Sequence, residues 1–362
     1  QLLKDLLSYR DMLVSEIVKN NSVREEQAEE YAQKILNRLI FIRSCGDRQI
    51  EERHLKSMLG DWNDNKNKKL IEHLQGIFTH FRGRYGSSLF EKHTCDNSII
   101  RDHVLEEIIE GLYKSKEKSL SYDFSLITSD VLGKMYENYL GTIQQKQDGA
   151  YYTPNYISKY IAENTIIPYL SKSDVTTIPD LITEYADNIE ELESKIHSIK
   201  ILDPACGTGE FLIRAIDVLL KISKGIQTQK EKTGQYSHTV KKKKSESVTY
   251  ATFDKDIENQ QLRTIIQNNI HGVDINEEAI EITQLNMFLK LATSSRQLID
   301  ISKNIRVGNS LVDDPAVDPK AFDWEKAFPE KFDVVIGNPP YVRQEQIKEL
   351  KTSLKKRYKI FT

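Results

Sequence analysis

One succession limits the fold more than any other stretch: Ile199-Lys200-Ile201-Leu202-Asp203, then Pro204-Ala205-Cys206-Gly207-Thr208-Gly209, then an apolar-periodic run from Glu210 to Lys224. A short apolar run ending in an acid reads as a buried strand. Two glycines in the loop permit a tight turn and a close approach of backbone to whatever lies beyond it. Phe211, Leu212, Ala215, Ile216, Leu219 and Leu220 recur at helical spacing, so the helix turns one apolar face inward. A strand that passes through a glycine loop into a helix opens a parallel α/β sheet, whose ligands sit at the carboxyl ends of the strands.

The rest of the C-terminal half extends that pattern. Ile270-His271-Gly272-Val273-Asp274-Ile275 is a second strand ending in an acid, and Ile305-Arg306-Val307 is a third that runs into Gly308-Asn309-Ser310-Leu311. Phe332-Asp333-Val334-Val335-Ile336-Gly337 is the fourth. Between them the spacing predicts helices over Gln261–Asn268 and Ala279–Leu291, the latter capped by Asn276 with Glu277 and Glu278 in its first turn. The polar stretch from Gly225 to about Ala251, with Lys241 to Lys244 in a row, reads as a solvated insertion, with contact to DNA phosphates as the alternative. A basic segment, Lys348 to Lys359, closes the chain and starts as a helix.

Residues 1 to 148 lack strand patterns and read as a helical domain. Leu2, Leu3, Leu6 and Leu7, then Met12, Leu13, Ile17 and Val18, recur at helical spacing, and Glu29 to Ile42 carries Tyr31, Ile35, Leu36, Leu39 and Ile40 on one face. Ile71–Phe81, Asp102–Leu112 and Leu126–Leu140 are further predicted helices, and Asp61 to Lys69 a loop anchored by Trp62. His54, His73, His80, His93 and His103 lie here without ligand spacing, so no metal site is expected. Gln144 to Gly149 reads as a junction, followed by Gly149-Ala150-Tyr151-Tyr152-Thr153-Pro154 and a helix from Asn155 to about Ile167. A hydroxyl and backbone amides at that helix start suit a carboxylate. Residues 171 to 198 form a connector with an acidic helix near Asp187 to Lys195.

The totals set outer bounds. A chain of 362 residues suits two domains, here 1–148 and 149–362. A net charge of -3 gives no global basic signature, so any contact with nucleic acid must come from a local patch. Cys45, Cys95 and Cys206 have no paired spacing, which argues against zinc and disulfide frameworks and fits a reducing cytoplasm. No apolar run reaches membrane-spanning length. Gln stands first, so the expectation is a piece or a processed form of something longer.

The strand ends bring together Asp203 with its glycine loop, Asp274, Asn309 and Asn338. The loop has Gly207 and Gly209 but no third glycine of a dinucleotide fingerprint and no Lys-Ser/Thr of a phosphate loop. The ligand is therefore best read as an adenosine compound without a polyphosphate, and S-adenosyl-L-methionine fits. The glycine loop would take its methionine end, Asp274 its ribose, Ile275 one face of its adenine, and Asn309 the adenine edge. Asp274 has a structural alternative, as a residue satisfying helix amides.

Beyond the fourth strand stands Asn338-Pro339-Pro340-Tyr341. Two prolines lack N–H groups and hold φ fixed, so the carbonyls there face outward. An amide oxygen, a carbonyl and a stacking ring suit a flat ligand with an exocyclic amine, such as adenine. The alternative is a proline-rich turn with a surface tyrosine.

These motifs in this order, Gly149 to Pro154, Asp203 to Gly209 and Asn338 to Tyr341, resemble the gamma-class N6-adenine DNA methyltransferases. The arrangement is similar to the methylase part of type IIG restriction-modification enzymes and to type I modification subunits. Arg38-Leu39-Ile40-Phe41-Ile42-Arg43 resembles the helical region ahead of the methylase in type IIG proteins. The resemblance implies a Rossmann-like S-adenosylmethionine-dependent methyltransferase sheet, incomplete in this chain, after an all-α domain. It implies a cofactor set of Tyr152, Thr153, Pro154, Asp203, Pro204, Ala205, Cys206, Gly207, Gly209, Phe211, Asp274, Ile275, Asn309 and Ser310. It implies a catalytic set of Asn338, Pro339, Pro340 and Tyr341, acting on an adenine flipped out of double-stranded DNA. The family often has Asp where Asn309 stands, so an altered cofactor contact is expected. Further strands and a target-recognition region are expected outside these residues, with room for a specificity or nuclease module in the same longer chain or a separate subunit; whether a nuclease is attached does not follow from the sequence. Two rivals remain: a protein glutamine N5-methyltransferase, which shares Asn-Pro-Pro-Tyr, and a DNA-binding or assembly module that keeps the fold without activity.

Overall fold

The computed structural model describes residues 1–85, 88–115, 120–127, 131–135, 153–234, 247–291, 299–341 and 350–359. The chain divides into two compact units, one of Gln1–Thr142 with Gln284–Asp300, the other of Ile143–Thr283 with Ile301–Thr362.

The first unit is built on helices among its described residues. These are α1 (Leu2–Asn20), α2 (Glu25–Asp47), α3 (His54–Asp64), α4 (Leu70–Tyr85) and α5 (Asp102–Gly111). The helix α2 is its axis, buried almost continuously from Tyr31 to Gly46. Phe41 meets Phe81, Tyr85, Phe90 and Phe288 within 6.4 Å between ring centroids. Such aromatic contacts add to the burial that holds a helical core together. Two arginines of α2 are buried with it. Arg38 pairs with Asp96 and donates to the carbonyls of Leu89 and Glu91, and Arg43 pairs with Asp47 over the Tyr113 ring. The predicted loop from Asp61 is corrected at its start: α3 runs to Asp64, because Trp62 continues the buried face of Leu55, Met58 and Leu59. Its indole donates to the Lys68 carbonyl, so the anchor role holds. Residues 131–135 are helical, and the rest of the predicted helix over Leu126–Leu140 lies largely outside the described residues, as does the junction at Gln144 to Gly149.

The second unit carries a four-stranded parallel sheet in the order β3-β2-β1-β4. The strands are β1 (Ile201–Asp203), β2 (Ile270–Asp274), β3 (Ile305–Val307) and β4 (Val334–Val335). Ile201 faces Ile270 on one side and Val334 on the other, and Gly272 faces Ile305. All four strands run the same way, so Asp203, Asp274 and the segments that hold Asn309 and Asn338 leave the sheet at one edge. The helix Glu210–Lys232 packs on β1 and β2 and buries Phe211, Leu212, Ala215, Ile216 and Leu219. The polar insertion expected from Gly225 starts later, since that helix continues to Lys232 with Ile226 still buried. Residues 235–246, including the four consecutive lysines, lie outside the described residues, and a helix already runs over Ser247–Asn268. The connector holds two helices, Ile178–Glu184 and Ile189–Ser198. No helix among the described residues is long and apolar enough to cross a membrane.

Candidate functional site

The site begins where β1 ends. Gly207 and Gly209 take φ of 53° and 82°, the left-handed region that side chains resist. At Gly209 a Cβ would also stand 2.8 Å from the Thr283 methyl, so the turn needs glycine twice over. The turn is tied down from three sides. The Cys206 N–H donates to the Val273 carbonyl at 2.9 Å. The Gly207 N–H donates to Asp274 Oδ2 at 2.8 Å. The Thr283 hydroxyl donates to the Gly207 carbonyl at 2.7 Å. Ser310 closes a fourth side by donating its hydroxyl to the Pro204 carbonyl. No heavy atom lies within 4 Å of a Cβ built on Gly207, so space is open beside that backbone.

Asp203 is fully buried beneath the turn. Its Oδ1 accepts from the Ala205 N–H at 3.1 Å, while Oδ2 has no hydrogen-bond partner. Burial pushes its pKa up to about 8 against the pull of the Ala205 N–H, with the Asp274 charge adding to the rise. A buried, half-satisfied carboxyl at a strand end is a common feature of ligand sites. Asp274 is half-buried, and its Oδ1 accepts from the Asn276 N–H at 2.9 Å. Both its oxygens thus hold backbone, and the structural role weighed for it in the sequence is present. Asn276 caps the helix Glu277–Leu291 through the N–H groups of Glu278 and Ala279.

Asn309 is buried, and its side chain is engaged at both ends. Its amide nitrogen donates to Asp318 at 2.7 Å, and its oxygen accepts from the Leu311 N–H at 3.0 Å. Ile275, by contrast, is 48% exposed beside β2, and Phe211 and Cys206 are buried. Tyr152 lies outside the described residues.

The second half of the site lies past β4. The Ile336 N–H donates to the Leu202 carbonyl, which carries the β4 side along β1 until Gly337 comes against Asp203. A Cβ on Gly337 would be 2.5 Å from Asp203 Oδ1, so only glycine permits that approach. Asn338 follows directly. Its amide nitrogen donates to the Thr153 hydroxyl at 3.2 Å, and its oxygen accepts from the Tyr341 hydroxyl at 3.1 Å. Thr153 is buried ahead of the helix Asn155–Leu170. Tyr341 is 75% exposed, and Pro339 and Pro340 are exposed beside it. The fold therefore joins three motifs that are far apart in the chain: Thr153, the Asp203 turn and Asn338. An amide carbonyl has two lone pairs, so Asn338 can accept from a ligand amine while its nitrogen stays fixed on Thr153.

Two contributors had no clear signal in the sequence. Thr283 sits on the helix after β2 and holds the glycine turn, and Asp318 fixes Asn309 from a loop. Neither belongs to a motif, and only the chain's path brings them in.

Residues 268–362 match the Eco57I restriction-modification methylase family. The chain is 27% identical over 387 residues to the type II restriction enzyme and methyltransferase RM.Eco57I of Escherichia coli, which takes in 96% of this chain and 34% of the relative. It is 24% identical over 200 residues to the adenine-specific methyltransferase BrxX of Escherichia coli, covering 47% of this chain and 14% of that one. Among solved structures, that of the type IIL restriction-modification enzyme MmeI in complex with DNA aligns with a TM-score of 0.61 at 15% identity, over 99% of this chain and 46% of that one. The last likeness speaks to the fold. The chain spans about a third of the length of RM.Eco57I. The resemblance to restriction-modification methylases and adenine-specific methyltransferases read from the motifs is borne out.

Proposed function

We propose that this chain is the methylase part of a restriction-modification protein and methylates N6 of adenine in double-stranded DNA. The observation that carries the reading is the Asn338 amide, anchored on Thr153 at the carboxyl end of β4, directly beside the buried Asp203 turn of β1. We read the sheet as that of a Rossmann-like S-adenosylmethionine-dependent methyltransferase over 149–362, preceded by an all-α domain over 1–148. The parallel order and the glycine turn after β1 support this.

The residues fit S-adenosyl-L-methionine on two counts: the open space beside Gly207 and the unpartnered Oδ2 of buried Asp203. Tyr152 to Pro154, Asp203 to Gly209 and Phe211 would hold its methionine end, Asp274 its ribose, and Ile275, Asn309 and Ser310 its adenine. Bound there, it supplies the methyl group on a sulfonium. The chain's own part is to present the amine. Tyr341 stacks on the flipped base, its exposure leaving the ring free to do so. The Asn338 oxygen and the outward carbonyl of Pro339 accept the two N6 hydrogens. These two contacts fix the amine so that its lone pair faces the methyl donor, and the displaced proton leaves to water. Positioning of this kind supplies most of the acceleration. No covalent enzyme intermediate is needed, and Cys206, buried with its thiol pushed far up by burial, serves as packing. The three free cysteines fit a cytoplasmic protein.

The test is substrate choice. The protein, with whatever flanking sequence its gene encodes, is given methyl-labelled S-adenosylmethionine with duplex DNA or with a glutamine-bearing protein substrate. Label on DNA is the expected result. Label on the protein side-chain amide would establish the glutamine rival, and no cofactor binding by calorimetry would favour the inactive module.

A further inference from the structure

We propose that Glu51, His54 and His80 form a binding site for a divalent transition-metal ion, of which zinc suits the donors best. None of the three stands at a metal-motif spacing with both others. Glu51 lies in the segment after α2, His54 opens α3, and His80 lies on α4. The helical packing of the first unit brings them together, with one ligand atom from each within 4.8 Å of the others.

The geometry is close to that of a coordination shell. Glu51 Oε2 is 3.4 Å from His54 Nε2 and 3.8 Å from His80 Nε2. Ligand atoms around a tetrahedral zinc with bonds of ~2.0–2.1 Å stand ~3.3 Å apart. The imidazoles converge on the same oxygen, and only His54 is within hydrogen-bond distance of it. A carboxylate that merely needed an ionic partner has one already at its other oxygen. The Tyr85 hydroxyl donates to Oε1 at 2.7 Å, and Arg84 pairs with that same atom. The carboxylate is thus oriented from behind, with Oε2 aimed at the two rings.

The surroundings match those of metal sites. A ligating histidine commonly has a carboxylate near its other ring nitrogen. Here His54 Nδ1 lies 3.8 Å from Glu52 Oε1. The Phe81 ring packs edge-on against both imidazoles, at 5.6 Å from each, and limits their rotation. Glu51 and His54 are largely buried, whereas His80 is 44% exposed. An open recess bordered by Gly46, Gln49, Ile50, Glu51, Glu52 and Arg53 adjoins the carboxylate. Three protein ligands leave a fourth position for water. Nitrogen and oxygen donors without sulfur suit zinc and its neighbours rather than a thiolate-selected ion. The three cysteines are buried and do not join the cluster. The bound ion would fasten the exit of α2 and the start of α3 to α4.

The site shares no residue with the proposed methylation site, so its test needs no methyl transfer. The purified protein is stripped with chelator, dialysed against zinc sulfate, passed over a desalting column and assayed for metal by mass spectrometry. One zinc per chain is expected, together with a rise in melting midpoint on zinc addition. His80→Ala, at a half-exposed position, should fold and lose at least tenfold in zinc affinity, and His54→Ala should do the same. Cobalt(II) substitution should give a visible absorption band in the parent that His80→Ala lacks. No retained zinc, or zinc retained equally by parent and His80→Ala, overturns the proposal.

Discussion

Asp203→Asn separates a buried acid from an ordinary surface one. The carboxyl is fully buried, and burial above all, with the Asp274 charge, sets its pKa at about 8 against 3.8 when free. An acid whose folded value lies above its unfolded value binds its proton more tightly in the folded chain. The folded chain then holds more protons than the unfolded chain between those two values. Stability therefore falls as pH rises from about 4, and the loss is complete once pH passes about 8. A displacement of that size corresponds to at most about 6 kcal/mol. Relaxation of the turn lowers the expected difference to about 2 kcal/mol. Asparagine keeps the shape, still accepts from the Ala205 N–H and cannot ionise. Urea midpoints of parent and variant, measured from about pH 5 to about pH 9, should diverge in favour of the variant as pH rises to about 8 and level off beyond it. Parallel curves with a constant gap would refute the reasoning, because they would mean the carboxyl is ionised and solvated throughout.

Gly337→Ala drives a methyl group against Asp203, 2.5 Å from Oδ1. It should cost about 1–3 kcal/mol of stability and weaken S-adenosylmethionine binding, read by thermal melting and calorimetry. His271, half-buried on β2 against Phe328 and Phe332, has its pKa lowered to about 4, chiefly by desolvation with Lys200 adding. A base lowered in the folded state contributes stability present above about pH 6.5 and lost as pH falls toward 4. His271→Leu should flatten that acid limb by up to about 3 kcal/mol, measured as urea midpoints between about pH 7 and 4. Asp96→Ala leaves the Arg38 guanidinium buried without its carboxylate and should cost about 3–5 kcal/mol in denaturant unfolding.

The sheet was legible because its strands are short, mostly apolar runs that stop at an acid or a glycine, a local pattern that needs no partner to be seen. The Asn-Pro-Pro-Tyr and glycine motifs were legible for a related reason: prolines and glycines constrain backbone by themselves. Helix ends were less so. Residues 225–232 are polar enough to resemble a loop, yet Ile226 sits four residues beyond Ile222 and stays on the buried face. Trp62 likewise extends α3 into a polar stretch. The sequence shows Asn309 at a strand end but not that Asp318 and the Leu311 N–H occupy its amide. His54 and His80 have no motif spacing, and only the packing of α3 and α4 brings their rings to 5.0 Å. Contacts made by distant segments are tertiary, and composition and periodicity do not encode them one at a time.

The most direct test of the central claim separates cofactor binding from transfer at Asn338. DNA incubated with methyl-labelled S-adenosylmethionine and either the parent or Asn338→Ala is digested to nucleosides and read by mass spectrometry, while calorimetry follows cofactor affinity in both proteins. The expected result is labelled N6-methyladenine from the parent, a fall of roughly a hundredfold or more in the variant, and unchanged cofactor affinity. Methyladenine formed equally by the variant would contradict the assignment of the amide beyond β4 as the group that presents the adenine amine.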